Sequence, residues 1–197
     1  VANYLDIEGV VTASAPNDIY LNGTNNLHID QVQSTTSSVY LSTTSGSLVD
    51  ANNDDVANVL GLNVQLASAN NIAASSNFLD IDTNAAFSGT LTLTSQRHAY
   101  VQETSGKLQI AGAISHGGEV QLNVNDSAAN TDDLTVLPLA IIRGQDRVVI
   151  TADNVFTDNG SLTETTGDAS LLDIEARDTM NLNGVVQVRG VDSLLDI

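Results

Sequence analysis

The chain contains no cysteine among its 197 residues. This absence excludes a disulfide framework and any metal or redox site that is built from thiolates. Proline is almost as scarce: only Pro16 and Pro138 occur, so the chain is not a proline-rich linker. A stacked β fold needs no disulfides, and the lack of cysteine therefore does not indicate an intracellular location.

Aromatic residues make up only 4% of the chain, and tryptophan is absent. A compact globule of this size normally contains several large aromatic anchors. Hydrophobic content is nevertheless ordinary at 42%, so the core has to be built from valine, leucine, isoleucine and alanine. We therefore expect thin, regular core layers, and the recurring β-branched residues argue against disorder.

Positive charge is also scarce. Six basic residues face 24 acidic ones, which gives a formal net charge of −18, and Lys107 is the only lysine. This balance excludes nucleic acid and anionic membrane surfaces as partners, because both require clustered lysine and arginine. No apolar run approaches the roughly 18 residues that a membrane-spanning helix needs, and no secretory signal is visible, so we predict no membrane insertion.

The sequence repeats itself. Residues 18–29 recur at residues 98–110 with one residue inserted, and the similarity continues through residues 34–41 and 115–122. The aligned pairs include Tyr20 with Tyr100, Leu27 with Leu108 and Ile29 with Ile110. Internal repetition of this kind is typical of one supersecondary unit stacked many times.

Short apolar pairs with one residue between them recur along the whole chain, as in Ile19/Leu21, Leu27/Ile29 and Val39/Leu41. Such alternation predicts strands with one buried face. Gly, Asn, Asp, Ser and Thr lie between the pairs and predict turns. Residues 56–66 are the only plausible short helix, and their glycine and β-branched residues disfavour it.

The spacing of the pairs selects among all-β folds. Leu21 and Leu41 are 20 residues apart, and Leu172 and Leu195 are 23 residues apart. We therefore predict a single-stranded parallel β-helix, or β-solenoid, with about 20–23 residues per rung and about eight to ten rungs. The sequence Leu-Asp-Ile at 5–7, 79–81, 172–174 and 195–197 then predicts ladders with Leu and Ile inside and Asp outside.

An antiparallel sandwich is the alternative, because its strands also recur every few residues. Its hairpins would use the Asn-Gly pairs at residues 22–23, 159–160 and 183–184. Repetition on the scale of one rung favours the solenoid.

We expect residues 1–197 to form one continuous solenoid segment. The pattern is already in progress at residues 4–7 and still in progress at 194–197, which suggests a piece of a longer repeat protein. Residues 50–59 and 126–133 are rich in Asn, Asp and Ala and interrupt the rhythm, so we predict loop insertions there.

Residues 18–21, 101–108 and 117–122 read Asp-Ile-Tyr-Leu, Val-Gln-Glu-Thr-Ser-Gly-Lys-Leu and Gly-Gly-Glu-Val-Gln-Leu. These phrases resemble the repeats of giant bacterial surface exoproteins and of filamentous-haemagglutinin-type β-helical adhesins. The resemblance implies a right-handed parallel β-helix outside the cell, serving adhesion or forming part of a fibre. It brings no catalytic residues with it.

Calcium is the cofactor that the composition favours. Asp54, Asp55, Asp132 and Asp133 lie in oxygen-rich turns and are candidate calcium ligands. No EF-hand loop and no glycine-rich calcium-binding nonapeptide is present, so solvated turn residues are the competing interpretation. His28, His98 and His116 each stand without a second ligand at zinc spacing, which argues against zinc.

Catalysis has weak support in the sequence. Asp30, Asp153 and Asp173 could be nominated as the carboxylates of a polysaccharide-cleaving β-helix. No nucleophile elbow, phosphate loop or clustered triad is present, and we predict no enzymatic activity.

Three tyrosines, Tyr20, Tyr40 and Tyr100, recur at outward positions of the alternating pattern. An outward row of rings could bind sugar or a neighbouring protein, but packing under a loop is the interpretation we favour.

The sequence as a whole predicts a structural or adhesive extracellular β-solenoid, a stalk or fibre-forming segment of a surface or matrix protein. Its expected partners are further solenoid, by end-to-end self-association or within a longer chain, and cell-surface glycans or proteins. Two alternatives stay open: a carbohydrate-binding or polysaccharide-cleaving β-helix, and a calcium-dependent matrix module. No cofactor is required in the first interpretation.

Overall fold

The computed structural model describes residues 9–83, 89–126 and 132–197. These residues form nineteen strands and no helix, which confirms the all-β prediction and excludes a helix at residues 56–66. The strands are β1 Val10–Ala15, β2 Ile19–Gly23, β3 Leu27–Ser34, β4 Val39–Thr43, β5 Leu48–Asp50, β6 Val59–Leu60, β7 Asn63–Ser68, β8 Leu79–Asp82, β9 Thr90–Ser95, β10 Ala99–Glu103, β11 Leu108–Ser115, β12 Glu119–Val124, β13 Asp133–Val136, β14 Ile141–Gly144, β15 Arg147–Thr157, β16 Leu162–Thr165, β17 Leu171–Leu182, β18 Val185–Val188 and β19 Leu194–Asp196.

The strands stack in parallel as a β-solenoid of about eight turns, as predicted. One row of strands runs β2, β4, β7, β9, β11, β14, β16 and β18, each paired in parallel with the next. A second row includes β10, β12, β15, β17 and β19. Parallel pairing throughout these rows excludes the antiparallel sandwich. At the usual strand separation of about 4.8 Å, the stack is about 35–40 Å long.

Inward residues form apolar ladders along the axis. Leu93 pairs with Leu66 on one side and Ala113 on the other, and all three are buried. A second ladder contains Val120, Val148, Leu172 and Leu195. Because small and medium aliphatic side chains can stack on their own kind at the strand spacing, this core needs almost no aromatic residues.

A ladder of buried hydroxyl groups runs beside the apolar ladders. Its members are Thr43, Ser68, Ser95 and Ser115, and after one turn that has Gly144 at this position, Thr165. The hydroxyls of the first four donate to main-chain carbonyls of the adjoining corners, as in Thr43 Oγ1 to Gly46 O at 2.7 Å and Ser68 Oγ to Asn71 O at 2.9 Å, and the Thr165 hydroxyl accepts from Ser170 Oγ at 2.8 Å. A buried hydroxyl is tolerated here because it finds a main-chain carbonyl as its hydrogen-bond acceptor.

Turn length varies more widely than the predicted 20–23 residues. Paired residues of successive turns are separated by 20 residues between Leu21 and Leu41, but by 29 between Ala113 and Ile142. The longer turns contain insertions. Residues 51–58 lie between β5 and β6 without strand structure, where an insertion was predicted. Of the insertion predicted at 126–133, residues 127–131 lie outside the described residues. A further insertion at residues 69–78, between β7 and β8, was not predicted.

The two copies of the sequence repeat do not occupy the same face of the solenoid. Tyr20 lies in β2, whose row continues through β4 and β7, whereas Tyr100 lies in β10, whose row continues through β12 and β15. The two copies of the repeat are therefore offset by one face. The repeating unit is a single strand with its corner, and the turn is built from more than one such unit.

Candidate functional site

Three carboxylates lie close together at one corner of the solenoid. Asp126, Asp132 and Asp153 each place a carboxylate oxygen within 4.8 Å of the other two, and no other group of three potential metal ligands meets this condition within residues 9–83, 89–126 and 132–197. Asp132 and Asp153 are buried and Asp126 is exposed. We call these three residues the corner carboxylates.

Strand geometry brings the corner carboxylates together. Asp126 follows the end of β12, Asp132 immediately precedes β13, and Asp153 lies at a register shift within β15. The shift lets the Asp153 side chain turn towards the corner. The Gly106 amide donates to Asp132 Oδ1 at 3.1 Å, and the Arg177 Nε donates to Asp153 Oδ1 at 2.5 Å.

Arg177 binds one of the corner carboxylates, Asp153, through a charged hydrogen bond. Besides Asp153, it donates from Nη2 to the Val124 carbonyl at 3.0 Å, and thereby spans two turns of the solenoid. One of the three negative charges is therefore already compensated within the chain. The oxygen donors are of the type that Ca²⁺ accepts, and three carboxylates with one arginine leave a net charge that suits a divalent cation.

The four predicted calcium ligands do not form one site. Asp132 belongs to the corner carboxylates, whereas its neighbour Asp133 pairs with Lys107 Nζ at 3.3 Å and accepts from Asn154 Nδ2 at 2.7 Å. Asp54 and Asp55 are exposed in the insertion at residues 51–58, several turns away.

Asp54 and Asp55 line a second acidic feature, an open cleft of about 170 Å³. Residues 75–78 form the opposite wall, and Asp80 and Gln102 lie at its base. Asp80 is only 3% exposed, and its Oδ1 accepts from Gln102 Nε2 at 3.0 Å. Burial, followed by the negative charge of Asp50, raises the pKa of Asp80 to about 7, and the charges of Asp55 and Asp54 add to the shift.

Asp80 differs from its predicted environment. In the Leu-Asp-Ile ladder interpretation it is an outward, solvated residue, and its alternating neighbours Leu79 and Ile81 are indeed fully buried. The insertions at residues 51–58 and 69–78 cover the outward face of β8, however, and bury the aspartate as well. At residues 172–174 the ladder prediction is confirmed, since Leu172 and Ile174 are buried. Leu172 pairs with Leu195 and Asp173 with Asp196, but Leu195 and Ile197 are exposed, so the prediction of an inward Leu and Ile is wrong at 195–197, and residues 5–7 lie outside the described residues.

The three carboxylates considered for catalysis, Asp30, Asp153 and Asp173, do not lie together in one site. Asp30 lies in β3 and accepts from Asn52 Nδ2 at 2.6 Å and from Thr12 Oγ1 at 2.8 Å, and these hydrogen bonds lower its pKa. Asp153 lies in β15, five turns along the stack, or about 24 Å away at the strand spacing. Asp173 lies near Arg147, at 3.9 Å. No shared reaction centre follows from this arrangement.

The three histidines are also dispersed. His28 lies in β3, His98 precedes β10, and His116 follows β11. The His98 ring stacks near Tyr100 with centroids 6.0 Å apart, and its Nδ1 accepts from the Glu119 amide at 3.3 Å. Hydrogen bonding and ring packing thus account for His98.

The tyrosines divide into two kinds of surface. Tyr20 and Tyr40 stack with their ring centroids 4.4 Å apart and their planes 3° from parallel, beside an open groove of about 200 Å³. Each ring uses one face on the other ring, and this mutual packing accounts for the pair without a bound sugar. Tyr100 is 7% exposed and packs edge-on against Phe78 of the 69–78 insertion, which is the packing under a loop that we expected.

Two buried glutamates escaped the sequence reasoning. Glu103 is fully buried in β10, where the Thr83 hydroxyl donates to its Oε2 at 2.9 Å, and burial raises its pKa well above the usual range. Alternation counted from Val101 would have placed it inside. Glu164 is 1% exposed and accepts from Arg143 Nε at 2.6 Å, Arg189 Nε at 2.6 Å and Gln187 Nε2 at 2.8 Å.

Glu164 pairs with two of the six basic residues of the chain, Arg143 and Arg189. Burial raises its pKa, but the hydrogen bonds from Arg143 and Gln187 and the charges of Arg143 and Arg189 outweigh burial, and the pKa lies below its ordinary value. Arg143 and Gln187 come from the turns on either side. The hydrogen bonds of Glu164 therefore connect three successive turns and stabilise their stacking.

Comparison of the chain with protein-family models, with curated proteins and with solved structures finds no match. A search of the described residues for a helix of sufficient length and hydropathy to cross a bilayer also finds none.

Proposed function

We propose that this chain is a rigid structural segment, a stalk or fibre section, of an extracellular surface or matrix protein. The observation that carries the proposal is the continuity of the core. Apolar and hydroxyl ladders pass through successive turns, and the few arginines join neighbouring turns. Such a stack transmits load along its axis because every turn is bonded to the next by parallel strand pairing.

The outer surface supports the same proposal. Its clefts are open, its nominated catalytic residues are dispersed, and its net charge of −18 keeps the rod soluble by mutual repulsion. The extracellular location in this proposal rests on the resemblance of the repeats to those of surface exoproteins. The surface tyrosines are the basis of the carbohydrate-binding alternative.

Mechanical unfolding tests the proposal. We expect single molecules pulled through handles at the two termini to lose one turn at a time, because each turn contacts only its neighbours. Each step should release 20–29 residues, the spacing of paired residues, or roughly 70–100 Å of chain. Leu93→Ala should lower the force of the central steps, and Thr92→Ala, the adjacent outward position, should not. Extension of the folded chain without resistance would contradict a load-bearing role.

Calcium binding is the second candidate function, and the proximity of the corner carboxylates favours it. We expect calcium to raise the melting temperature through binding to the folded state. Asp132→Asn should abolish that increase, since an amide keeps the hydrogen bond from Gly106 but removes the charge. Asp146→Asn removes an exposed charge elsewhere and is the matched control.

Magnesium at equal concentration separates coordination from charge screening. If both ions stabilise the wild type, Asp132→Asn and Asp146→Asn equally, screening of the acidic chain explains the effect and the calcium hypothesis is wrong. If Asp54→Asn rather than Asp132→Asn abolishes the calcium-induced increase in melting temperature, the calcium site lies in the cleft and not at the corner carboxylates.

A further inference from the structure

The cleft between the two insertions has walls that the chain fixes by its own hydrogen bonds. The Asp50 carboxylate accepts from the main-chain amides of Asn52 and Asn53 at 2.9 and 3.0 Å, and from Asn58 Nδ2 at 2.7 Å. On the opposite wall, Asn77 Nδ2 donates to the main-chain carbonyl of Asp50 at 3.3 Å. Because one residue holds both walls, the shape of the cleft exists before any ligand enters, which lowers the cost of binding.

The carboxylates that face the cleft have no cation of the chain beside them. In the part of the chain that the structure describes, no basic side chain lies within ion-pair distance of Asp54, Asp55 or Asp80. Asp80, at the base, is only 3% exposed; its Oδ1 accepts from Gln102, and its Oδ2 receives no hydrogen bond from the described residues. Buried carboxylates normally have a cation as partner, so the base of this cleft offers an acceptor that the chain leaves unused.

The arrangement suits an organic cation better than a metal ion. Within residues 9–83, 89–126 and 132–197, only the corner carboxylates bring three potential metal ligands within 4.8 Å of one another, so Asp54, Asp55 and Asp80 do not converge on one point. A guanidinium group distributes five N–H donors over a plane and can therefore reach acceptors that lie apart. Phe78 also lines the cleft and supplies an aromatic ring, which guanidinium groups contact favourably.

Asp80 is a costly residue for the fold. Burial is the largest cause that raises its pKa to about 7, and the solenoid would keep the hydrogen bond from Gln102 if the residue were asparagine. A carboxyl group that lowers stability and lines a cleft is more typical of a binding site than of a structural position.

We propose that the cleft binds a guanidinium group, the head group of an arginine side chain, with Asp80 at its base and Asp54 and Asp55 at its rim. The carboxylates accept from the guanidinium N–H groups, and Phe78 packs against the cation. This inference goes beyond the structural role and does not depend on it, because the rod can carry load whether the cleft is empty or filled.

NMR titration of the isotope-labelled chain with Nα-acetyl-arginine methylamide, at constant ionic strength, tests the proposal. We expect saturable shifts of the amide resonances of residues 53–55 and 75–78, and none near the corner carboxylates. Nα-acetyl-citrulline methylamide has the same shape with a neutral urea group and should not bind. Nα-acetyl-lysine methylamide has the same charge and should bind more weakly, because an ammonium group cannot reach separated acceptors.

Methylguanidine, which lacks the rest of the side chain, distinguishes the source of the group. Affinity equal to that of the arginine derivative would assign the site to small free guanidino compounds. Tighter binding of the arginine derivative would assign it to an arginine of another polypeptide. Both results support a guanidinium site.

Variants of the carboxylates test their separate parts. Asp80→Asn should weaken binding at least about tenfold, and Asp55→Asn, at the exposed rim, about threefold. Asp80→Asn is expected to be more stable than the wild type, so loss of binding in this variant cannot come from unfolding. Asp146→Asn removes an exposed carboxylate elsewhere and should leave the affinity unchanged.

The affinity should also depend on pH, because Asp80 has to lose its proton to pair with the cation. The charged groups that face it are Asp50, Asp54 and Asp55; Gln102 is neutral, and residues 75–78 contain no ionisable side chain. We expect binding to be at least about tenfold tighter at pH 8 than at pH 5, and Asp80→Asn to lose most of this difference.

Four results would overturn the proposal. Equal shifts with the citrulline derivative would mean that the cleft does not recognise charge, and equal affinity for the lysine derivative that it accepts any cation. Unchanged affinity in Asp80→Asn would mean that the base of the cleft takes no part. Calcium that shifts the same resonances at a lower concentration than the arginine derivative would assign the cleft to a metal ion.

Discussion

Asp80→Asn is expected to stabilise the folded chain, and the gain should grow as the pH rises. In the unfolded chain Asp80 ionises near its ordinary pKa of 3.8, but in the folded chain it stays protonated until about pH 7. Between these values only the unfolded state loses the proton, so wild-type stability falls as the pH rises and then levels off above pH 7. Asparagine has no proton to lose and escapes this penalty.

The size of the effect follows from the shift. The difference between the pKa of Asp80 in the folded and in the unfolded chain corresponds to at most about 4 kcal/mol of stability. Between pH 5 and pH 8, the stabilisation by Asp80→Asn should increase by about 2–3 kcal/mol. Asparagine keeps an oxygen that accepts from Gln102, so the hydrogen bond at the base of the cleft survives. Urea unfolding of wild type and variant at the two pH values measures the change.

Asp54→Asn is the control for Asp80→Asn, because it removes a charge from the same cleft at an exposed position. Its effect on stability should be much smaller at both pH values. A variant Asp80→Asn that is equally destabilising at pH 5 and pH 8 would show that the carboxylate is ionised and stabilising in the folded chain, contrary to this account.

Leu122→Ala is expected to destabilise the chain by about 2–5 kcal/mol. Leu122 is fully buried between Val101 and Ile150 of the adjacent turns, so truncation leaves a cavity in the middle of a ladder. The neighbours cannot close it, because strand pairing holds the turns at a constant separation.

The adjacent residue supplies the comparison for Leu122→Ala. Gln121 points outward from the same strand, and Gln121→Ala should change the free energy of unfolding by less than about 0.5 kcal/mol. Similar losses in both variants would mean that β12 does not have one buried face. Denaturant midpoints of the two variants and the wild type decide the matter.

The fold was predictable because its physical cause is local. Alternation of apolar residues such as Val120 and Leu122 defines a strand with one buried face, and the spacing of like pairs defines the turn. The face of the solenoid on which each copy of the repeat lies was not predictable in the same way. Tyr20 and Tyr100 occupy equivalent places in the sequence, but a corner after each strand lets equivalent strands lie on different faces.

The sites were less predictable because they depend on contacts between distant turns. Asp132 was a candidate ligand on composition, but its proximity to Asp126 and Asp153 depends on a register shift in β15 that no local signal indicates. Asp80 matched a solvated ladder position until two insertions covered it. The handedness of the solenoid and its location outside the cell stay predictions.

Amide hydrogen exchange, read turn by turn, tests the central claim that one continuous core holds the whole stack. We expect the slowest exchange in β9, β10, β11 and β12, with protection decreasing gradually towards β18 and β19, whose outer edges are open. In Leu122→Ala, protection should fall in the turns on both sides of β12, because the ladders couple them. Abrupt loss of protection at one boundary, or uniformly rapid exchange through the central strands, would contradict a continuous core.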